Sequence, residues 1–193
     1  MKKITLILLL PFLVNTLYSQ DVRNIVTNTF IVKYSEELEQ PLYVFYNVLC
    51  PNGDESRSGL DFKTYEGVHT SNNEDYANNI WDKGHLAPAA AFNCDIETLK
   101  STFSYLNCAL QHQSLNRGPW RKLEEFERNL AKIYDSVTVT VDCHFSDYSK
   151  KLVTGATVPD GFTKTIIWDG REECFYFPNK DVKGIDWIDF RIN

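Results

Sequence analysis

The 193-residue sequence is short of three features that commonly assign a chain to a class of protein. It has no apolar run after residue 20 that is long enough to cross a bilayer, so no membrane anchor is predicted. Its five cysteines show no C-x-x-C spacing, which argues against a structural zinc site. It has no basic surplus either, because 20 Lys and Arg are outnumbered by 26 Asp and Glu. Since proteins that bind polyanions are more often basic, any such function requires a local positive patch.

The first twenty residues have the composition of a secretory signal peptide. Two lysines follow Met1, residues 4–14 form an apolar run, and polar residues return at 15–20. No cysteine directly follows the run, so a lipid anchor is not indicated. We therefore predict a signal peptide at residues 1–20 and a single domain at residues 21–193, in a protein that is secreted or periplasmic. Loss of the two lysines would change the net charge from −6 to −8.

What the chain does contain is enough apolar and aromatic material for a sizeable core. Hydrophobic residues make up 43%, including 12 Phe, 10 Tyr and 4 Trp, which argues against disorder. All the cysteines lie in the predicted mature part, at positions 50, 94, 108, 143 and 174. In an oxidising compartment we expect two disulfides and one free thiol, with the pairing left open.

Hydrophobic patterning predicts several strands and two helices. Runs rich in β-branched and aromatic residues predict strands at residues 28–34, 42–50, 137–143, 163–168 and 174–177. A long polar loop is predicted at residues 51–79. The segment at 81–91 is expected to be extended, because it contains Pro88. The order of these elements indicates an α+β class, with a mainly antiparallel sheet packed by helices.

Both predicted helices lie between the strands. Asp95 has the character of an N-cap for a short helix that ends near residue 103. A longer helix is expected to begin at Asn116 or Arg117, since Pro119 is tolerated only in a first turn, and to end at Tyr134. The helical period places four residues on its buried side: Trp120, Leu123, Leu130 and Ile133.

The letters DKGH at residues 82–85 resemble the D-R-G-H signature of the DNA/RNA non-specific endonucleases, a family of ββα-metal (His-Me finger) enzymes. Further matches to the family pattern are QPLYV at 40–44, TF at 102–103, LN at 106–107, Gln111, LNRG at 115–118, Trp120, LE at 123–124, VP at 158–159, Phe162 and Lys164. Together they cover roughly residues 30–180. The resemblance implies an α+β fold with a ββα-metal motif. It also implies a hydrolase that cleaves DNA and RNA to 5′-phosphate ends through contacts with the phosphate backbone.

Three side chains in and after this signature suit the hydrolysis of a phosphodiester. His85 is the candidate general base, because imidazole has a pKa of about 6.5. Asn116 is the candidate direct ligand of Mg²⁺, with Mn²⁺ as an alternative, since such a hard ion prefers oxygen ligands and keeps most of its waters. Glu124, about 80° further around the predicted helix, is expected to reach the metal through a water. Arg128, four residues later, is expected to pair with Glu124 and orient it.

Cationic side chains near these residues predict the local positive patch. Lys83 stands where the family has Arg, which keeps the charge but loses the bidentate contact with phosphate. Arg57, in the polar loop, resembles the family's upstream phosphate-binding Arg. Arg117 and Arg121 extend the predicted patch. These four cations are the candidate substrate-binding residues.

Each of the three candidate residues for catalysis and metal binding also has a purely structural interpretation. An isolated histidine such as His85 is often a surface residue or one whose hydrogen bonds are satisfied in the core. Asn116 could cap the longer helix. Glu124 could be a solvated carboxylate that pairs with Lys122 or Arg128.

Two other functions therefore stay open. One is a catalytically weakened homologue that binds nucleic acid without cutting it, and Lys83 in place of Arg is the best argument for it. The other is a secreted interaction domain that is stabilised by internal disulfides and does not act on nucleic acid. The spacing of His85, Asn116 and Glu124 within one family pattern favours the enzyme.

Overall fold

The computed structural model describes residues 22–192, so the predicted signal peptide at residues 1–20 lies outside the described residues. The strands within that range are β1 (Val22–Val26), β2 (Phe30–Ser35), β3 (Gln40–Asn47), β4 (Trp81–His85), β5 (Cys108–His112), β6 (Val137–His144), β7 (Gly161–Trp168), β8 (Arg171–Pro178) and β9 (Arg191–Ile192). The helices are α1 (Ile96–Thr102), α2 (Gln113–Leu115) and α3 (Arg121–Ala131), with a π-helical turn at Asn116–Trp120. Single 3₁₀ turns lie at Asn73–Tyr76, Ala89–Ala91, Tyr105–Asn107 and Trp187–Phe190.

Seven of the strands form one antiparallel sheet, in the order β1-β2-β3-β6-β7-β8-β9. The five strands predicted from the sequence correspond to β2, β3, β6, β7 and β8, whereas β1, β5 and β9 were not predicted. The β7–β8 hairpin is closed by Asp169 and Gly170, whose φ angles of 46° and 69° match the right-handed twist of paired strands. The sheet and its helices confirm the predicted α+β class.

The core lies between one face of this sheet and the segment that carries β4, β5 and α3. Strand β6 shows the alternation that such a half-buried sheet requires, because Val137, Val139 and Val141 are buried while the residues between them are partly exposed. The same buried cluster includes Trp120 and Leu123 from the far side. No helix within residues 22–192 has the length and apolar character needed to cross a bilayer.

The predicted long helix is broken and shorter than expected. Gly118, with φ −105° and ψ −113°, is not helical, so α2 and the π-helical turn precede α3 instead of one continuous helix. The helix ends at Ala131 rather than at Tyr134. Ile133 is 74% exposed, and its prediction as a buried residue is wrong because the helical period no longer applies past the end of α3. Glu127 is buried on α3 instead.

Two other local predictions have different outcomes. Asp95 accepts hydrogen bonds from the backbone N–H groups of Glu97 and Thr98, which confirms it as the N-cap of α1. The extended segment predicted at 81–91 forms strand β4 as far as His85, and Pro88 is again extended, with φ −72° and ψ 137°. After Pro88 the chain makes the 3₁₀ turn Ala89–Ala91, so the last part of the predicted segment is not extended.

The cysteines form one disulfide, Cys50–Cys94, and the expectation of two disulfides is wrong. Cys143 lies on β6 and Cys174 on β8, and β7 runs between these strands. Two strand spacings amount to about 9.5 Å, which is beyond the reach of a disulfide. Cys108 belongs to the other sheet and is buried there.

Thiol counting tests this arrangement directly. Denatured, unreduced protein is expected to react with a thiol reagent at three cysteines, because Cys108, Cys143 and Cys174 are free. Fully reduced protein is expected to react at five. A single reactive thiol in the unreduced sample would show that a second disulfide forms.

Candidate active site

A two-stranded antiparallel sheet, formed by β4 and β5, places His85 at the edge of the candidate site. Strands β4 and β5 pair antiparallel from Trp81 opposite His112 to His85 opposite Cys108, and the chain then enters α2. Gly84 allows the close approach of the two strands, because a Cβ at this position would lie 2.6 Å from Cβ of Gln111. The glycine of the DKGH motif therefore has a packing role beside the histidine.

The backbone at His85 and just after it is held by buried side chains. The Asn107 side chain bonds to Ala87 twice, since its Oδ1 accepts from the backbone N–H at 2.8 Å and its Nδ2 donates to the carbonyl at 2.8 Å. Trp120 Nε1 donates to the carbonyl oxygen of His85 at 3.3 Å. Asn107 was not predicted as a site residue, although it lies in one of the family-like stretches.

One cleft of about 750 Å³ contains every site residue predicted from the sequence. Its walls come from the polar loop, the end of β4, the π-helical turn and α3. The eight predicted residues that line it are Arg57, Lys83, His85, Asn116, Arg117, Arg121, Glu124 and Arg128. Side chains up to 71 positions apart in the chain are thus brought to one surface.

The His85 imidazole is packed for the neutral state. Its ring centroid lies 4.5 Å from that of Phe62 and 4.9 Å from that of Phe103. Burial, together with the positive charge of Arg57, lowers the pKa of His85 to about 3. Nε2 is buried and has no hydrogen-bond partner within residues 22–192. A neutral imidazole can accept a proton. A phosphate bound beside Arg57 would offset the positive charge of Arg57 and so raise the pKa of His85.

Asn116 is oriented by Asp82, a residue that was not predicted as part of the site. Asn116 Nδ2 donates to Asp82 Oδ2 at 2.9 Å, and Arg117 donates to both oxygens of the same carboxylate at 2.8 and 2.6 Å. Burial would raise the pKa of Asp82, but these hydrogen bonds outweigh it and lower the pKa below its usual value. In the sequence, the only indication that Asp82 belongs to the site is its place as the first residue of the DKGH motif.

The amide oxygen of Asn116 is consequently left available. With Nδ2 committed to Asp82, Oδ1 has no hydrogen-bond partner among the described residues. The alternative that Asn116 caps the long helix is not observed, because its backbone is itself helical and its side chain accepts no N–H. A cleft residue with one fixed N–H and one unpaired oxygen fits a role as an oxygen ligand.

Glu124 is partly buried, and its environment favours the protonated form. Burial raises the pKa of its carboxyl to about 7, Lys164 opposes that shift, and Glu127 adds to it. Lys122 Nζ lies 3.7 Å from Asp186 Oδ1. The structural alternative, in which Glu124 pairs with Lys122, is therefore not observed. The expected ion pair with Arg128 is also absent within residues 22–192, although the positive charge of Arg128 still acts to lower the pKa of the Glu124 carboxyl.

Most cations of the cleft are already paired with acids. Lys83 Nζ lies 2.7 Å from Asp61 Oδ1 and also bonds to Asn73 Oδ1. Arg117 is paired with Asp82, and Arg121 with Glu125. Arg57 and Arg128 form no ion pair within the described residues.

A hard metal ion fits this set of donors better than zinc does. The described residues contain no cluster of three or more His, Cys, Asp and Glu side chains that could hold a metal. The cleft instead offers the free amide oxygen of Asn116 and the carboxylate of Glu124. Such a sparse oxygen set suits an ion that keeps most of its waters.

The fold and the cleft together define a class: an α+β protein with a proton acceptor, oxygen donors and unpaired cations arranged for chemistry on an anionic substrate. Comparison with known proteins gives the family. The family model for DNA/RNA non-specific endonuclease matches residues 12–193, so the chain belongs to that family. This confirms the resemblance seen in the DKGH motif and its neighbours.

Individual relatives agree with this assignment. Mitochondrial endonuclease G of Bos taurus is 33% identical over 129 residues, which cover 60% of this chain and 43% of the relative. A nuclease of Serratia marcescens is 31% identical over 121 residues, which cover 58% of this chain and 45% of the relative. This chain thus spans less than half the length of these curated relatives. A crystal structure of an EndoG/EndoGI complex has a TM-score of 0.75 at 27% identity, covering 89% of this chain and 80% of that one.

The raised pKa of Glu124 predicts a pH-dependent stability. An unfolded Glu has a pKa near 4.5, so the folded protein loses stability as the pH rises from there through about 7. In EDTA, Glu124→Gln is expected to match wild type at about pH 5 and to be more stable by roughly 1–3 kcal/mol at about pH 8.5. Urea unfolding at both pH values measures this, with the exposed Glu37→Gln as control. A difference that does not change with pH would contradict the assigned environment.

The Asp61–Lys83 pair predicts a gain in substrate binding. Asp61→Asn removes the carboxylate that neutralises Lys83, so KM for nucleic acid is expected to fall about two- to fivefold, as for an exposed ion pair. Glu66→Gln, an equal change in charge on the same loop, is the control and should have a smaller effect. An identical KM in the two variants would show that Asp61 does not withhold Lys83 from substrate.

Proposed function

We propose that this protein is a secreted, Mg²⁺-dependent endonuclease that hydrolyses phosphodiester bonds of both DNA and RNA. One observation carries the proposal: the eight residues chosen from the sequence for this chemistry line a single cleft. Mn²⁺ is the alternative metal, because it also accepts oxygen ligands. The curated relatives are named as nucleases, which supports the same reaction class for this chain.

In the proposed reaction, the neutral imidazole of His85 accepts a proton from the attacking water. The lowered pKa of His85 keeps the ring unprotonated in the free protein. Asn116 would hold the metal directly and Glu124 would hold it through a water. When bound, the metal would supply positive charge to stabilise the phosphorane and the leaving oxygen. Hydrolysis on the side of the 3′ oxygen would give 5′-phosphate ends.

Arg57 and Arg128 are the proposed principal contacts with the phosphate backbone. Both line the cleft and neither is engaged in an ion pair among residues 22–192. Lys83, Arg117 and Arg121 would contribute once phosphate competes with their acidic partners. Contacts of this kind do not distinguish bases or sugars, which supports action on both DNA and RNA.

A secreted or periplasmic location is part of the proposal. Its support comes from the signal-peptide pattern of residues 1–20 and from the Cys50–Cys94 disulfide, since disulfides persist mainly in oxidising compartments. The net charge of −8 that would remain after loss of residues 1–20 predicts weak binding to nucleic acid outside the cleft.

A weakened homologue that binds nucleic acid is the second candidate. The observation that favours it is the ion pair between Lys83 and Asp61. Lys83 stands where the family has Arg, and Asp61 already neutralises its charge. Such a protein would retain binding to DNA in EDTA but would show no nicking when Mg²⁺ is added.

Plasmid nicking with Mg²⁺ and with EDTA tests the proposed enzyme. His85→Ala is expected to lower the rate by at least about 100-fold, because it removes the general base. Asn116→Ala is expected to lower it similarly and to weaken the response to Mg²⁺. His144→Ala, an exposed histidine outside the cleft, is the control. Full nicking by both cleft variants, or by wild type in EDTA, would reject the proposal.

A further inference from the structure

A charged pair lies completely buried beneath α3. Lys164 on β7 and Glu127 on α3 both have side chains with 0% exposure, and Lys164 Nζ lies 2.8 Å from Glu127 Oε1. The Tyr46 hydroxyl donates to the other carboxylate oxygen of Glu127 at 2.6 Å. Lys164 Nζ also approaches the Tyr46 oxygen at 3.3 Å. The pair is therefore satisfied by hydrogen bonds inside the core.

Stability is a weak explanation for this pair. Removing two charges from water costs free energy that their mutual attraction often fails to recover, and apolar residues of similar volume are commonly at least as stable. Neither the Lys164 side chain nor the Glu127 side chain is exposed to solvent. A role in placing neighbouring groups is one physical reason to keep an ion pair in a core of apolar side chains.

Lys164 reaches the candidate active site by two short routes. Its Nζ lies 4.1 Å from the centroid of the Trp120 ring, and Trp120 Nε1 donates to the carbonyl oxygen of His85 at 3.3 Å. Through Glu127 it also anchors α3 one turn beyond Glu124, which lines the cleft. Both routes start from the same ammonium group and end at cleft residues on two different elements, His85 on β4 and Glu124 on α3.

We infer that Lys164 is a positioning residue for the hydrolytic reaction: its buried ammonium group fixes Trp120 and Glu127, and through them the positions of His85 and Glu124. The inference rests on the function proposed above. Lys164 does not line the cleft, so it acts on the reacting groups only through these neighbours. Its loss should therefore lower kcat and leave KM nearly unchanged, because the phosphate-binding cations are untouched.

The variants must separate this role from folding. Lys164→Met alone leaves the Glu127 carboxylate buried and unpaired, which is expected to destabilise the fold strongly. The double variant Lys164→Met/Glu127→Gln removes both charges at nearly constant volume, and the Tyr46 hydroxyl can still donate to the amide oxygen. Val139→Ala, a core change on β6 beside β7, is the control for loss of stability without loss of the pair.

Steady-state cleavage kinetics, with thermal unfolding as the measure of folding, test the inference. The folded double variant is expected to lose about 10- to 100-fold in kcat with KM within about twofold, whereas Val139→Ala should lower Tm and keep kcat. A double variant with wild-type kcat, or with no greater loss than Val139→Ala, would overturn the positioning role. His85→Ala in the same assay separates the two proposals: if it is inactive while the double variant is fully active, only the role of Lys164 fails.

Discussion

The packing of one indole ring is the constraint on which the candidate site depends. Trp120 is fully buried, donates to the backbone of His85, and lies directly before α3, which carries Glu124. Its ring faces Phe162 and Phe177 of the large sheet at centroid distances of 5.5 Å. The large sheet, the β4–β5 sheet and α3 thus all contact one another through this single side chain.

A second constraint is electrostatic. The protein has a net negative charge, so a cleft that is to hold an anionic substrate needs a local group of cations. The cleft cations belong to different segments, and acids on neighbouring segments neutralise three of them: Lys83, Arg117 and Arg121. Pairing of this kind limits the affinity for nucleic acid but keeps the side chains ordered in the free protein. Arg57 and Arg128, which lack such pairs among the described residues, are the cleft cations that would attract phosphate under the proposed function.

Sequence patterns were most informative where chemistry and local structure coincide. The DKGH motif located His85 at the end of a strand, and the spacing to Asn116 and Glu124 placed all three in one cleft. Strand β5 was not predicted, because CALQH is a short run without alternation that leads directly into a helix. Contacts between distant residues, such as Asp82 with Asn116, cannot be read from a local pattern. The same holds for the burial of Glu127, because a helical carboxylate is ordinarily exposed.

Several groups that oppose folding lie around this one site, and their proximity to one another argues for function. His85 has an unpartnered buried nitrogen and a lowered pKa, and Glu124 has a raised pKa. Each of these features reduces the stability of the folded protein, as does an ion pair withdrawn from water beneath them. Functional sites are where such groups are most often found, because perturbed pKa values can serve a reaction. Their common location around Trp120 is therefore an independent reason to place the chemistry there, in addition to the family's motif.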